Sequence, residues 1–418
     1  MMGDSHLTWR KFLRGTELRL DEYRQLCRAI IDGKYSDMML ATIIARMYYK
    51  PLGVDEIYKL VLAFVETGDT LEFPGRYIVD KHSIGGVPGN KVSLIVVPIV
   101  AAAGLKIPKT STRSITTIGT AEKMEVFAPV DLTAEEVMEV VKKTNGCIVS
   151  TKKLNLAPVD DILLDVQSAI QLNPASLMIA SILAKKKAMG IKYMVLDIPQ
   201  GRGTKVRTMR EATTLANKFI MVADRLEIML KCAITYGEQP VGHTVGVALE
   251  ALEALDTLEG GRPSTSLIEK STGLAGILFE LVGITGEGQR LAKNILESGK
   301  ALKKFKEIVA AQGGNPNLRK DDIPIGRYVA EIRANVNGYV VQIDNQLIME
   351  IARRAGAPQD IGAGVVIPYK GGRYVRENDV ILKIYSNSEA RLDEAKRFAE
   401  ENIPIIIEGA IRRVISTY

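Results

Sequence analysis

The densest chemistry in the sequence lies in one stretch, Asp80-Lys81-His82-Ser83-Ile84-Gly85-Gly86-Val87-Pro88-Gly89-Asn90-Lys91-Val92-Ser93. Its glycines permit positive φ and let the backbone approach an anion closely. N–H groups at the start of a following helix are unsatisfied and lie at the positive end of its dipole, so they bind phosphate oxygens. Lys81 adds a full charge, and Ser83 and Ser93 add hydroxyl donors. The stretch is not a Walker loop, which needs Gly-Lys followed by Ser or Thr where this chain has Gly89-Asn90-Lys91-Val92. It also lacks GxGxxG. On pattern alone, a glycine turn without a ligand and a phosphate site are equal readings.

A second stretch, Ser111-Thr112-Arg113-Ser114-Ile115-Thr116-Thr117-Ile118-Gly119-Thr120, is crowded with hydroxyl groups and carries one guanidinium. Such a loop can ring an oxyanion with donors. Taken alone, a polar surface loop is the commoner meaning. Two donor-rich loops, each beside a strand end, make an anion site the stronger reading of the pair. A third stretch, Ser181-Ile182-Leu183-Ala184-Lys185-Lys186, puts Ser181 and Lys185 four residues apart on one helix face. Both could touch one ligand, although a lysine-rich helix end favoured by the dipole explains the pattern more simply.

These motifs need elements to hold them. Leu18 to Gly68 reads as three helices, with Tyr23, Leu26, Cys27, Ile30 and Ile31 on one face. Ser36-Asp37 offers a cap, Pro51-Leu52-Gly53 a break, and Asp55 a third start. From Tyr77 onward, short β-branched runs (Tyr77–Val79, Cys147–Val149, Met194–Ile198) alternate with helical stretches. That alternation predicts a parallel sheet covered by helices. The apolar run Val92 to Leu105 reads as a buried helix, too short to span a bilayer. Leu163 to Met189 is helical again. Between Ala330 and Tyr385 short strands are punctuated by Asn337-Gly338, Asp344-Asn345, Gly371-Gly372 and Asn378-Asp379. This last part is similar to the barrel-like biotinyl carriers, but Lys370 reads as a turn residue, not a carrier lysine.

The expected fold class is therefore α/β with an all-α domain and a C-terminal α+β, barrel-like domain. Residues 1–75 form the all-α domain, joined by 160–190. Residues 76–160 and 191–315 form the α/β phosphate-binding domain, and 325–418 the C-terminal β-rich domain.

Composition narrows the function classes. The chain has 418 residues, 55 basic and 49 acidic, for a net charge of +6. Basic residues occur only in short runs such as Lys185-Lys186-Lys187, which argues against a nucleic-acid face. Cys27, Cys147 and Cys232 are far apart, with no CxxC spacing, and suggest a reducing compartment. With only three histidines a zinc site is not expected. Met1 to Gly15 carries no apolar leader. The expectation is a cytoplasmic protein with no metal, cofactor, nucleic acid or membrane partner.

The three stretches, in their order and over essentially the whole chain, resemble the thymidine phosphorylase family of pyrimidine-type nucleoside phosphorylases. Lys-His-Ser-Ile-Gly-Gly-Val-Pro-Gly-Asn-Lys and Ser-Thr-Arg-Ser-Ile-Thr look like the archaeal branch that acts on AMP. The resemblance implies that Lys81, Ser83, Ser93, Ser111 and Thr120 hold inorganic phosphate. It implies that Gly85, Ser111, Thr112, Arg113, Ser114, Ile115, Thr116 and Thr120 line the nucleotide site, with Ser181 facing the nucleotide. Lys185 matches a base-contacting lysine of thymidine enzymes, and Lys205, after Gly201-Arg202-Gly203-Thr204, a nucleotide-binding lysine of the AMP branch. Its cation beside glycine N–H groups suits a 5′-phosphate, whereas a surface loop lysine is the plainer alternative. His82 would orient phosphate or ribose, or serve structurally.

Three departures qualify what the resemblance implies. Leu164 stands where thymidine phosphorylases carry an arginine for the pyrimidine carbonyl, which fits a purine or mixed substrate. Asn173 stands where the AMP branch has an aspartate proton donor. An amide cannot deliver a proton as a carboxylic acid does, so Asn173 is read as a substitution that impairs turnover. Chains of the AMP branch usually begin with a further N-terminal domain, and the start at Met1-Met2-Gly3 is read as a truncation. The expected reaction is nucleoside 5′-monophosphate (AMP, also CMP or UMP) plus phosphate giving free base and ribose 1,5-bisphosphate, in a homodimer or larger homo-oligomer. The alternatives are a thymidine/pyrimidine nucleoside phosphorylase and a non-catalytic nucleotide-binding sensor. An anthranilate-type phosphoribosyltransferase ranks lower, for want of paired carboxylates after Lys192–Asp197.

Overall fold

The computed structural model describes residues 4–111, 118–261 and 264–409, and shows a mixed α/β chain. Four helices come first: Asp4–Arg14, Leu20–Ile31, Asp37–Tyr49 and Val54–Val65. In the second, Tyr23, Leu26, Cys27 and Ile30 are buried on the face that the 3.6-residue spacing predicts, whereas Ile31, expected with them, is exposed at the helix end. The first helix differs from the sequence reading, which registers that segment only as polar. Its anchor is Phe12, buried with its ring edge-on to Tyr23.

Five parallel strands follow: β1 (Val79–Ser83), β2 (Ile107–Ser111), β3 (Gly146–Ser150), β4 (Tyr193–Gln200) and β5 (Met229–Tyr236). β4 pairs with β1 on one side and β5 on the other, and β2 pairs with β3. A single parallel bridge, Ile78 to Lys106, joins the two groups, so the order across is β3-β2-β1-β4-β5. The helix Ser93–Ala102 crosses from β1 to β2, buried from Ser93 through Ala101. That matches the reading of this apolar run.

The first strand lies further along than Tyr77–Val79. It runs through Asp80, Lys81 and His82 to Ser83, so the opening of the first motif is strand and not turn. Apolar periodicity could not show this, because buried ion pairs here take the place of apolar residues. Asp80 and Lys81 are 0% and 2% exposed.

Between β3 and β4 the chain forms helices Pro158–Ile170 and Ala175–Ala188, which pack against Asp37–Tyr49 and Val54–Val65. The backbone N–H of Leu52 donates to Ser176 Oγ at 2.8 Å, tying the N-terminal helices to this pair.

In the C-terminal part, two antiparallel sheets carry helices Asn345–Ala355 and Glu389–Asn402. The reading of short strands from Ala330 to Tyr385 omits the first of these helices. Asp344-Asn345, taken for a turn, is a helix start, where the Asp344 carboxylate accepts the N–H groups of Gln346 and Leu347. Lys370 is a tether. Its Nζ donates to the carbonyls of Pro240 and Gly242 at 2.5 and 2.8 Å.

Candidate active site

A cleft of about 940 Å³ opens where β1 and β2 end. Ligands of open α/β sheets gather at such carboxyl ends, where the following turns present backbone N–H groups. Lys81, His82, Ser83 and Gly85 reach it from β1 and its turn, Ser93 from the helix that follows, and Ser111, Gly119 and Thr120 from the far side of β2. Asn173, Ser181 and Lys205 complete the wall. The two donor-rich stretches therefore face one space. Thr112, Arg113, Ser114, Ile115 and Thr116 lie outside the described residues.

The turn after β1 needs its glycines. Gly85, Gly86 and Gly89 have φ of +79°, +89° and +70°. A Cβ on Gly86 would stand 2.8 Å from the backbone nitrogen of Lys205, so this glycine lets the Lys205 loop close over the turn. Ser83 Oγ accepts from the Gly85 N–H at 3.3 Å and from Asn90 Nδ2 at 3.1 Å. With both acceptor positions used, its own hydrogen remains to be donated. Ser93 sits in the first turn of its helix, where orphan N–H groups favour an anion.

Lys81 is held by a network that the sequence did not reveal. Its ammonium is 3.8 Å from Asp197 at the middle of β4, and Asp197 also takes Lys270 at 3.1 Å and Thr235 Oγ at 2.6 Å. Burial lowers the Lys81 ammonium to about 8, with Asp197 opposing that fall. Beneath it, Asp80 holds Lys186 at 2.6 Å. Burial pulls the pKa of His82 well below the ordinary range, and Lys109, Lys186 and Lys81 push the same way. Its Nδ1 is buried without a hydrogen-bond partner among the described residues.

Two lysines with expected ligand roles part company here. Lys205 lines the cleft, where the protein crowded around its ammonium lowers its pKa. Lys185 does not line the cleft. It is 5% exposed and lies 2.7 Å from Asp160 and 3.0 Å from Asp161, and its pKa is raised because those carboxylates outweigh desolvation. Ser181 Oγ donates to the same Asp160 at 2.6 Å. The shared helix face holds as expected, but the partner it meets inside the protein is Asp160. Asn173 lines the cleft, and its Oδ1 accepts from Gln167 Nε2 at 2.9 Å.

Among the described residues no group of His, Cys, Asp and Glu side chains is arranged to hold a metal ion, and no helix is long and apolar enough to cross a membrane. Lys109, absent from the sequence reading, also lines the cleft, as do Asp161 and Asp165. A lysine at the centre of a short strand was the one local signal that could have singled out Lys109.

Residues 75–302 match the family described as glycosyl transferase family, a/b domain, and residues 339–406 match the pyrimidine nucleoside phosphorylase C-terminal domain. The chain is 49% identical to AMP phosphorylase of Thermococcus kodakarensis over 96% of its length and 80% of that protein's. It is 46% identical to AMP phosphorylase of Methanocaldococcus jannaschii, over 98% of this chain and 82% of that one. Among solved structures, anthranilate phosphoribosyltransferase from Thermus thermophilus superposes with a TM-score of 0.59 at 18% identity, covering 73% of this chain and 99% of that one. That likeness concerns the fold alone.

Proposed function

Since this chain belongs to the AMP phosphorylase family, within the glycosyl transferases that share the pyrimidine nucleoside phosphorylase C-terminal domain, we propose that it cleaves AMP with inorganic phosphate, giving adenine and ribose 1,5-bisphosphate. The observation that carries this reading is the meeting of Lys81, Ser83, Gly85, Ser93, Ser111 and Thr120 on one cleft.

In the reaction the C1′–N9 bond breaks with its electron pair going to the base, and a phosphate oxygen forms the new bond to C1′. Positive charge builds on the ribose ring as the base departs. A phosphate dianion fixed by Lys81 and the hydroxyls stabilises that charge and is already in place to attack. Lys205, in the cleft beside the glycine turn, suits the 5′-phosphate. Asn173 is placed to donate a hydrogen bond to the leaving base but cannot release a proton to it. Phosphate is itself the nucleophile, so the scheme calls for no cofactor.

The finer reading extends the substrate to CMP and UMP, with Leu164 on the cleft wall where an arginine would enforce a pyrimidine carbonyl. It retains His82 and Asn173 as the groups nearest the chemistry. It places the all-α unit at 1–75 with 160–190, the phosphate-binding unit at 76–160 and 191–315, and the C-terminal α+β unit at 325–418. It also takes the protein to be cytoplasmic and a homodimer or larger homo-oligomer.

The experiment is incubation with AMP and phosphate, followed for free adenine, with the Asn173→Asp variant alongside. Adenine release that requires phosphate supports the reading. AMP binding with no phosphate consumed by either protein would replace it with a nucleotide-binding module.

A further inference from the structure

The loop that carries Lys205 is held from two sides. On one side lies the glycine turn after β1, where a Cβ on Gly86 would collide with the Lys205 backbone nitrogen. On the other stands Asn345, the first residue of the helix Asn345–Ala355 in the C-terminal part. Asn345 is 2% exposed, and its Nδ2 donates to the carbonyl of Arg202 at 3.2 Å and to that of Gly237 at 2.7 Å. Gly203 permits this approach. Its φ is +74°, and a Cβ there would stand 3.2 Å from the Cβ of Asn345.

The turn itself is closed by Thr204, whose Oγ lies 2.8 Å from the carbonyl of Gly201 and 2.7 Å from that of Val206. A hold on Arg202 is therefore a hold on Lys205. A second tie runs from the Arg202 guanidinium to Gln342 Oε1 at 2.7 Å, on the strand Gly338–Ile343. Both N–H groups of the Asn345 amide are used, and the carbonyls they meet belong to the loops that follow β4 and β5. A buried carbonyl left without a donor is costly, so the amide and the two loops fix one another in a single arrangement.

Asn345 does not line the cleft, whereas Lys205 does. We infer that Asn345 is a positioning residue for Lys205: through its buried amide the C-terminal part sets the loop from which the Lys205 ammonium meets the 5′-phosphate of the nucleotide. A lysine has a long, flexible stem, so where its charge falls depends on how firmly its backbone is placed. The C-terminal part thereby takes a share in telling a nucleotide from a nucleoside. This inference rests on the reading of Lys205 as the 5′-phosphate cation.

The test is calorimetric titration of the whole chain with AMP and, separately, with adenosine, which lacks the 5′-phosphate. Wild type is compared with Asn345→Ala, Lys205→Met and the double variant. In N345A, AMP affinity should fall roughly tenfold, the scale for a charged hydrogen bond put out of line, while adenosine affinity stays within about twofold. The double variant should bind AMP within about twofold of K205M, because two changes acting through one group do not add. Unchanged AMP affinity in N345A overturns the inference. Equal losses for AMP and adenosine also overturn it, since they mark a general structural role. A full further loss on top of K205M overturns it as well, because the amide would then act by another route. Should N345A not fold, Asn345→Ser, which keeps one donor, replaces it under the same criteria. If K205M itself binds AMP as wild type does, the reading of Lys205 falls and the inference with it. A normal N345A beside a weakened K205M removes the inference alone. Adenine release by the wild type is followed separately, and its failure with the binding differences intact removes the reaction and leaves the placement of Lys205.

Discussion

The ammonium of Lys185 lies 2.7 Å from the carboxylate of Asp160, a side chain with no exposed surface, and the hydroxyl of Ser181 donates to that carboxylate at 2.6 Å. One buried aspartate thus gathers Ser181 and Lys185 of the third sequence motif. It fixes the helix Ala175–Ala188 against the helix Pro158–Ile170 and holds Ser181 at the cleft edge.

Lys185→Met leaves Asp160 buried without its cation. Removing one partner of such a pair costs about 3–5 kcal/mol. The expected outcome is a large loss of stability in urea unfolding. Ser181→Ala removes one hydrogen bond and should cost only about 1 kcal/mol, with its main effect on the KM for AMP.

Asn173→Asp restores an acid on the cleft wall. General acid catalysis contributes about a hundredfold or more, so kcat for adenine release should rise by that order near neutral pH. The rise should fade as pH climbs and the carboxyl loses its proton. A flat profile, or no gain, would show that the base leaves without protonation from this position.

Phosphate binding should weaken above about pH 8, where Lys81 loses its charge. The ammonium is charged below that value, so the KM reckoned on the phosphate dianion should climb on the alkaline side. Linkage gives stability the opposite trend. The folded pKa lies below the unfolded value of about 10.4, so between about pH 8 and 10 the unfolded chain binds more protons. Without ligand, this group makes the fold more stable as pH rises through that window. Melting curves with and without phosphate check both signs.

Gly86→Ala should be tolerated poorly. Its φ of +89° disfavours a side chain, and the new Cβ would press on the backbone of Lys205. Strain of about 1–3 kcal/mol is expected. Because the collision falls on the Lys205 loop, AMP affinity should drop together with melting temperature, whereas Gly104→Ala, which meets nothing, should lower stability alone.

Residue order determined much of this protein. The glycine turn after Lys81-His82-Ser83, the hydroxyl-rich run from Ser111, the buried apolar helix after Val92 and the three amphipathic helices before Gly68 are local features. Each depends on backbone freedom or side-chain periodicity, which a short window carries. The likeness to a phosphorolytic family rested on those windows and their order.

Only the tertiary structure decided which charges meet. Asp197 is 116 residues from Lys81, and Asp160 is 25 from Lys185, and neither distance leaves a local trace. The first strand was misplaced for the same reason, since Asp80 and Lys81 look polar until their partners are known. Pairing of buried charge is a property of chain elements brought together, and its energy depends on distance and burial, neither of which is written in the order of residues.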